Sequence, residues 1–122
     1  MKSINGLWQT KSGSVYEFFQ TGSNVSAIYS RPSKEQLECG IKSGDIAYVG
    51  DLLGAIICGQ FHHRAQLGDQ KQCPANWYFV TVMYLTISAD SVTMEGDLLI
   101  HHIADTCQLD DRRIDHLIFT RV

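Results

Sequence analysis

The sequence predicts an all-β fold: an antiparallel up-and-down β-barrel of about eight strands with one short helix. Three observations predict it. Short runs alternate apolar and polar residues, glycines punctuate those runs, and no strand–helix–strand alternation calls for a parallel sheet. All three meet in "INGLWQTKSGSVYEFFQTGSNVSAIYS" (4–30), where Gly6, Gly13 and Gly22 separate the runs.

"SVYEFFQ" (14–20) leads through the turn-forming "TGSN" into "VSAIYS" (25–30). There Val25, Ala27 and Tyr29 alternate against Ser26, Ile28 and Ser30, so 14–30 reads as a hairpin. "RPSKEQLECG" (31–40) breaks the alternation. Ser33 followed by Gln36 has the spacing of a capping box, and Gly40 is a C-terminal stop, so one helical turn is expected across Lys34–Cys39. "IAYVGDLLGAIICGQFHHRAQ" (46–66) reads as "IAYVG", "DLL" and "AIICGQFHHR", broken at Gly50–Asp51 and Gly54. Glycine inside strands marks the bulges and bends that a closing barrel needs. "LGDQKQCPAN" (67–76) is a polar loop, and "WYFVTVMYLTIS" (77–88) is the longest run of aromatic and β-branched residues. "VTMEGDLLIHHI" (92–103) follows, then "ADTCQLDDRR" (104–113) as a polar connection and "IDHLIFTRV" (114–122) as the closing strand.

At 122 residues the chain is a single domain, 1–122, large enough for one hydrophobic core. A formal charge of −3 and the lack of a basic run argue against nucleic acid as a partner. No apolar run approaches the ~18 residues of a membrane-spanning helix. "MKSINGLWQT" has no signal-peptide core, which leaves either a cytoplasmic chain or one whose leader has been removed.

Four cysteines, Cys39, Cys58, Cys73 and Cys107, form no CxxC pair, so a zinc ribbon is not expected. Cys58, inside "AIICG", reads as a buried thiol. Cys73 and Cys107 lie in polar sequence and are the pair expected to bridge, if any does. Free cysteines would fit the cytoplasm, and a Cys73–Cys107 bridge a periplasmic or secreted protein.

"GLW" (6–8) resembles the Gly-x-Trp signature of the calycin barrels, which include the lipocalins and avidins. The length and the terminal "FTRV" look avidin-like, and the pattern of 13–29 is similar to small bacterial lipocalin-like domains of unassigned role. The resemblance implies a barrel with Trp8 packed across its floor. This chain departs from avidins in having only Trp8 and Trp77, and from typical lipocalins in its short length and missing terminal helix. The resemblance therefore implies fold rather than ligand.

Alternation also sorts faces. Phe79, Thr81, Met83, Leu85 and Ile87 form the expected core side of 77–88; Val92, Met94, Leu98, Ile100 and His102 that of 92–103. For the last strand the pattern does not choose between Leu117 with Phe119 and Ile114 with His116 and Ile118. A barrel of this size either fills with side chains or holds one small ligand. Tyr16, Phe18, Tyr29, Phe61, Trp77, Met83 and His102 are the candidate lining residues, with a filled core as the alternative.

The pairs His62–His63 and His101–His102 could converge with Cys73, Cys107 or Asp105 on zinc. The spacing lacks a short ligand pair, and no metal or cofactor is expected. No GxSxG, HExxH or phosphate loop is present in the sequence; a Cys73 dyad with His62 or His102 is the remaining catalytic arrangement. The charged run Asp110–Asp115 reads as a solvated loop, with Arg112 or Arg113 clamping an anion as the other reading. The expected function is non-catalytic binding of a small, partly apolar or aromatic molecule at the open end. A filled, self-associating barrel (a homo-oligomer) and, third, a Cys/His enzyme are the rival expectations.

Overall fold

The computed structural model describes residues 3–64, 78–104 and 106–122. Eight strands follow one another: β1 (Gly6–Gln9), β2 (Val15–Thr21), β3 (Asn24–Arg31), β4 (Ile46–Leu53), β5 (Ile56–Arg64), β6 (Tyr78–Ile87), β7 (Thr93–Ile103) and β8 (Leu109–Arg121). Helix α1 (Lys34–Glu38) sits between β3 and β4. Every strand pairs antiparallel with the next, and β8 returns to β1, so the sheet is a closed up-and-down barrel. Closure rests on Trp8 opposite Arg121 and Gln9 opposite Thr120, with the Val122 N–H donating to the Leu7 carbonyl at 2.9 Å.

Side-chain alternation explains what the barrel buries. Val25, Ala27 and Tyr29 point inward from β3, and Met83, Leu85 and Ile87 from β6, while Val80, Val82 and Tyr84 face outward. On β8 the choice left open by sequence falls to Phe119, fully buried, with Leu117 packed against the core. Helix α1 has the expected capping box: the Gln36 N–H donates to Ser33 Oγ, and the Ser33 N–H donates to Gln36 Oε1.

Four readings need correction. Gly50 does not end a strand, because β4 runs unbroken through it to Leu53. Gly50 instead pairs directly with Gly59. A Cβ on Gly59 would lie 2.4 Å from the Val49 carbonyl oxygen and 2.7 Å from the Tyr48 hydroxyl. The two glycines thus leave room for Tyr48, whose hydroxyl donates to the Met83 carbonyl at 2.6 Å. Second, "LDDRR" is not connection but the start of β8, carried out by pairing from Ile103–Leu109 along the whole of β7. Third, Val92 is exposed, since it precedes β7 in the turn after β6. Fourth, Cys58 is only half-buried, because Ile57 and Phe61 take the inward positions of β5. The expected loop 67–76 lies outside the described residues.

The two ends of the barrel differ. At one end, Trp8 is fully buried and packs edge-on against Phe18 at 6.2 Å. Its indole N–H donates to the Ile4 carbonyl at 2.9 Å, and the Arg121 guanidinium lies 4.3 Å from the ring centroid. Arg121 also donates to the carbonyls of Ser3, Asn5 and Ser91, tying three segments to the last strand. This end is a packed floor. Among the described residues, the other end carries the β1–β2 loop and α1, and it is open.

Candidate functional site

A cavity of about 270 Å³ descends from the open end. Its bottom is aromatic: Tyr16 lies 5.2 Å from Tyr29 and 5.9 Å from Phe61, and all three are buried. Leu98, Ile100 and Leu117 supply an apolar wall from β7 and β8. Ser12, Gln36, Arg64, Arg113 and Asp115 bring polar groups to the rim, where Arg113 and Asp115 form an ion pair at 3.3 Å.

Gln36 ties helix α1 to this mouth. Gln36 Oε1 accepts from Ser14 Oγ at 2.8 Å, and Gln36 Nε2 donates to the Tyr16 hydroxyl at 3.0 Å. The same amide completes the capping box, so local helix formation and docking share one residue. Burial raises the Tyr16 and Tyr29 phenols above their ordinary values, which keeps both neutral hydrogen-bonding groups. Tyr29 donates to the His62 carbonyl.

His63 lines the cavity, is buried, and shares a hydrogen bond of 2.8 Å between Nε2 and Thr81 Oγ1. Burial, reinforced by the nearby His101, pushes its imidazole down to about 4, so it is uncharged at neutral pH. Phe79 sits cross-strand from His63, and the His101 ring lies parallel to Phe79 at 4.0 Å.

Of the residues expected from sequence, Tyr16, Tyr29 and Phe61 come together at the cavity bottom. Phe18 and Met83 are buried in the packed core below it. His102 is half-buried and is not among the lining residues, while Trp77 lies outside the described residues. Sequence reasoning did not expect His63, Gln36 or Arg64 to line the cavity: His63 was weighed only as a metal ligand and Gln36 only as part of the capping box. The signal for His63 was present, since it shares its strand face with Ile57 and Phe61. Gln36 could not be found that way, because its role depends on where the helix docks.

No cluster of three potential metal ligands occurs among the described residues. Cys107 is disulfide-bonded, whereas Cys39 and Cys58 are thiols. The expected partner of Cys107, Cys73, lies outside the described residues, as do the Cys73 dyads and Asp105. No helix is long and apolar enough to cross a membrane among the described residues. Compared with protein-family models and with curated proteins, the chain matches none.

Proposed function

We propose that the barrel binds a small, partly apolar or aromatic molecule at its open end, without chemistry. The observation that carries this reading is the cavity itself: an aromatic bottom and aliphatic wall beneath a polar rim. Sites of this kind take the apolar part of a ligand inside and fix its polar end with a few convergent groups. The hydroxyls of Tyr16 and Tyr29 already have protein partners, so the deep part favours rings or alkyl groups over charge. The calycin reading is supported by Trp8 at the floor, clasped by Arg121 from the last strand. A bridged Cys107 fits an oxidising compartment.

N-phenyl-1-naphthylamine, an uncharged probe that fluoresces in apolar surroundings, tests the reading. It is expected to bind saturably to the wild type, and Leu117→Trp, which fills the wall, is expected to weaken binding at least tenfold at unchanged melting temperature. Equal binding by both proteins would overturn the proposal.

A self-associating barrel is the second reading. It is favoured by the outer face of β6, where Val80, Val82 and Tyr84 are 46%, 59% and 59% exposed without an intervening charge. Sedimentation velocity at high micromolar concentration is expected to show a dimer or larger species on this reading. A monomer at every concentration removes it.

A further inference from the structure

We propose that the cavity selects an uncharged aromatic molecule bearing a hydrogen-bond acceptor, which takes the proton of the Tyr16 hydroxyl. Selection of this kind rests on the binding reading above and names the chemistry that the site would choose.

Gln36 decides which way the Tyr16 proton can go. The Ser33 backbone N–H reaches one end of the Gln36 amide at 2.9 Å. A backbone N–H can only donate, so that end is the carbonyl oxygen. The Ser14 hydroxyl donates to the same oxygen at 2.8 Å. The opposite end is therefore the NH2 group, which has no lone pair to offer. It lies 3.0 Å from the Tyr16 hydroxyl. Tyr16 must accept there, and its own proton is left over. Turning the amide over would set its NH2 against the Ser33 N–H, donor against donor.

Tyr29 is engaged in the opposite sense. Its hydroxyl donates to the His62 carbonyl, so only lone pairs remain on that oxygen. Phe61, the third ring at the bottom, carries no polar side-chain atom. Of the three, Tyr16 alone keeps a proton to give. Ser14, the other hydroxyl beside that phenol, commits its own proton to Gln36. Among the described residues, no acceptor stands at hydrogen-bond distance for the Tyr16 proton. Burial keeps the phenol neutral, so the proton stays in place through the neutral range. A buried donor without a partner costs free energy, and a ligand acceptor removes that cost.

The rest of the wall decides what carries the acceptor. Tyr16 lies 5.2 Å from Tyr29 and meets Phe61 edge-on, and such rings accept a further ring among them. Leu98, Ile100 and Leu117 add aliphatic surface. The cations Arg64 and Arg113 stand at the rim, the second engaged by Asp115. A carboxylate lowered to Tyr16 would lose its water with no cation beside it. A carbonyl, ether or ring nitrogen suits the position instead. At about 270 Å³ the cavity falls below the ~300–1,000 Å³ of sites for drug-sized molecules, so the ligand is compact. A site that donates one fixed hydrogen bond rejects an isostere lacking the acceptor more sharply than an apolar pocket rejects by size.

2-Acetylnaphthalene and 2-isopropenylnaphthalene test the selection, because they differ only in a carbonyl oxygen against a CH2 group. Their affinities are measured by displacement of N-phenyl-1-naphthylamine from the wild type and from Tyr16→Phe. In the variant the ketone is expected to bind about fivefold more weakly or worse, and the alkene within about twofold of the wild type. Loss of both in equal measure, or of neither, overturns the proposal. Tyr16→Phe also takes an acceptor from Gln36, so a second measurement uses the wild type alone. The infrared carbonyl stretch of the bound ketone is expected where it lies in an alcohol; the position it takes in hexane would overturn the proposal. Failure of N-phenyl-1-naphthylamine to bind the wild type removes the binding reading and the selection with it. Equal response of ketone and alkene to the substitution removes the selection alone.

Discussion

The floor and the mouth of this barrel are built from the same strands by opposite rules. At the floor, Trp8, Phe18 and Phe119 interlock, with Phe18 and Phe119 6.0 Å apart at 80°, and Arg121 seals the ring of Trp8 from outside. At the mouth, the rings of Tyr16, Tyr29 and Phe61 are spread around a cavity, and Gln36 fastens the helix above them by hydrogen bonds to the Tyr16 and Ser14 hydroxyls. Dense apolar packing resists every change of shape. Polar fastening over a void tolerates change and responds to conditions. Stability and responsiveness are thus separated along the barrel axis.

The contrast is most sharply tested at Trp8. Trp8→Ala should cost about 4 kcal/mol, since it removes a fully buried ring and leaves a cavity behind it. Denaturant melts would show it, and a loss below about 1 kcal/mol would mean that the floor is not the stable half.

Acid should act at the other end. His63 is held below its unfolded value, so its stabilisation is complete above about pH 6.5 and is lost as pH falls through 6.5 toward 4. The expected loss is on the order of 3 kcal/mol over that window. Wild-type denaturant melts at pH 7.5 and 4.5, set beside His63→Gln, check it: the variant should lose less than the wild type.

The smallest effect concerns the outer wall, which belongs to neither end. His116 bridges Asp97 at 2.7 Å and Glu95 at 2.9 Å, and these hydrogen bonds raise its pKa. The sign is the reverse of that at His63: the contribution is present below about pH 6.5 and fades as pH rises through the elevated value. Because the site is open to solvent, His116→Gln should lower the melting temperature only slightly at pH 6 and not at all at pH 9.

Much of this architecture could be read from the chain because strand burial has a period of two. That period placed Met83 and Leu85 inside and Val82 and Tyr84 outside before any pairing was known. The capping box at Ser33 and Gln36 was equally legible, being local. What escaped depends on contacts distant in sequence. The continuity of β4 through Gly50 is set by Gly59 across the ladder, and the length of β8 by β7. At the site, Tyr16, Tyr29 and Phe61 were legible as large aromatics that could line a pocket, and the structure places them on inward faces. Composition could not separate them from Phe18 and Met83, which share those faces but sit in the packed core. Depth along the axis is a property of the assembled barrel, and alternation carries no information about it.

The clasp of Arg121 on the N-terminal segment has a consequence for how the chain reaches this state. Its guanidinium meets the Asn5 carbonyl at 3.0 Å across a sequence separation of 116 residues. Neighbouring hairpins can form early at small entropic cost, but this contact must wait until the whole meander is in place. The last event in folding is then the ring closing on itself, and a chain halted just short of it would present β1 and β8 as two bare edges to its neighbours.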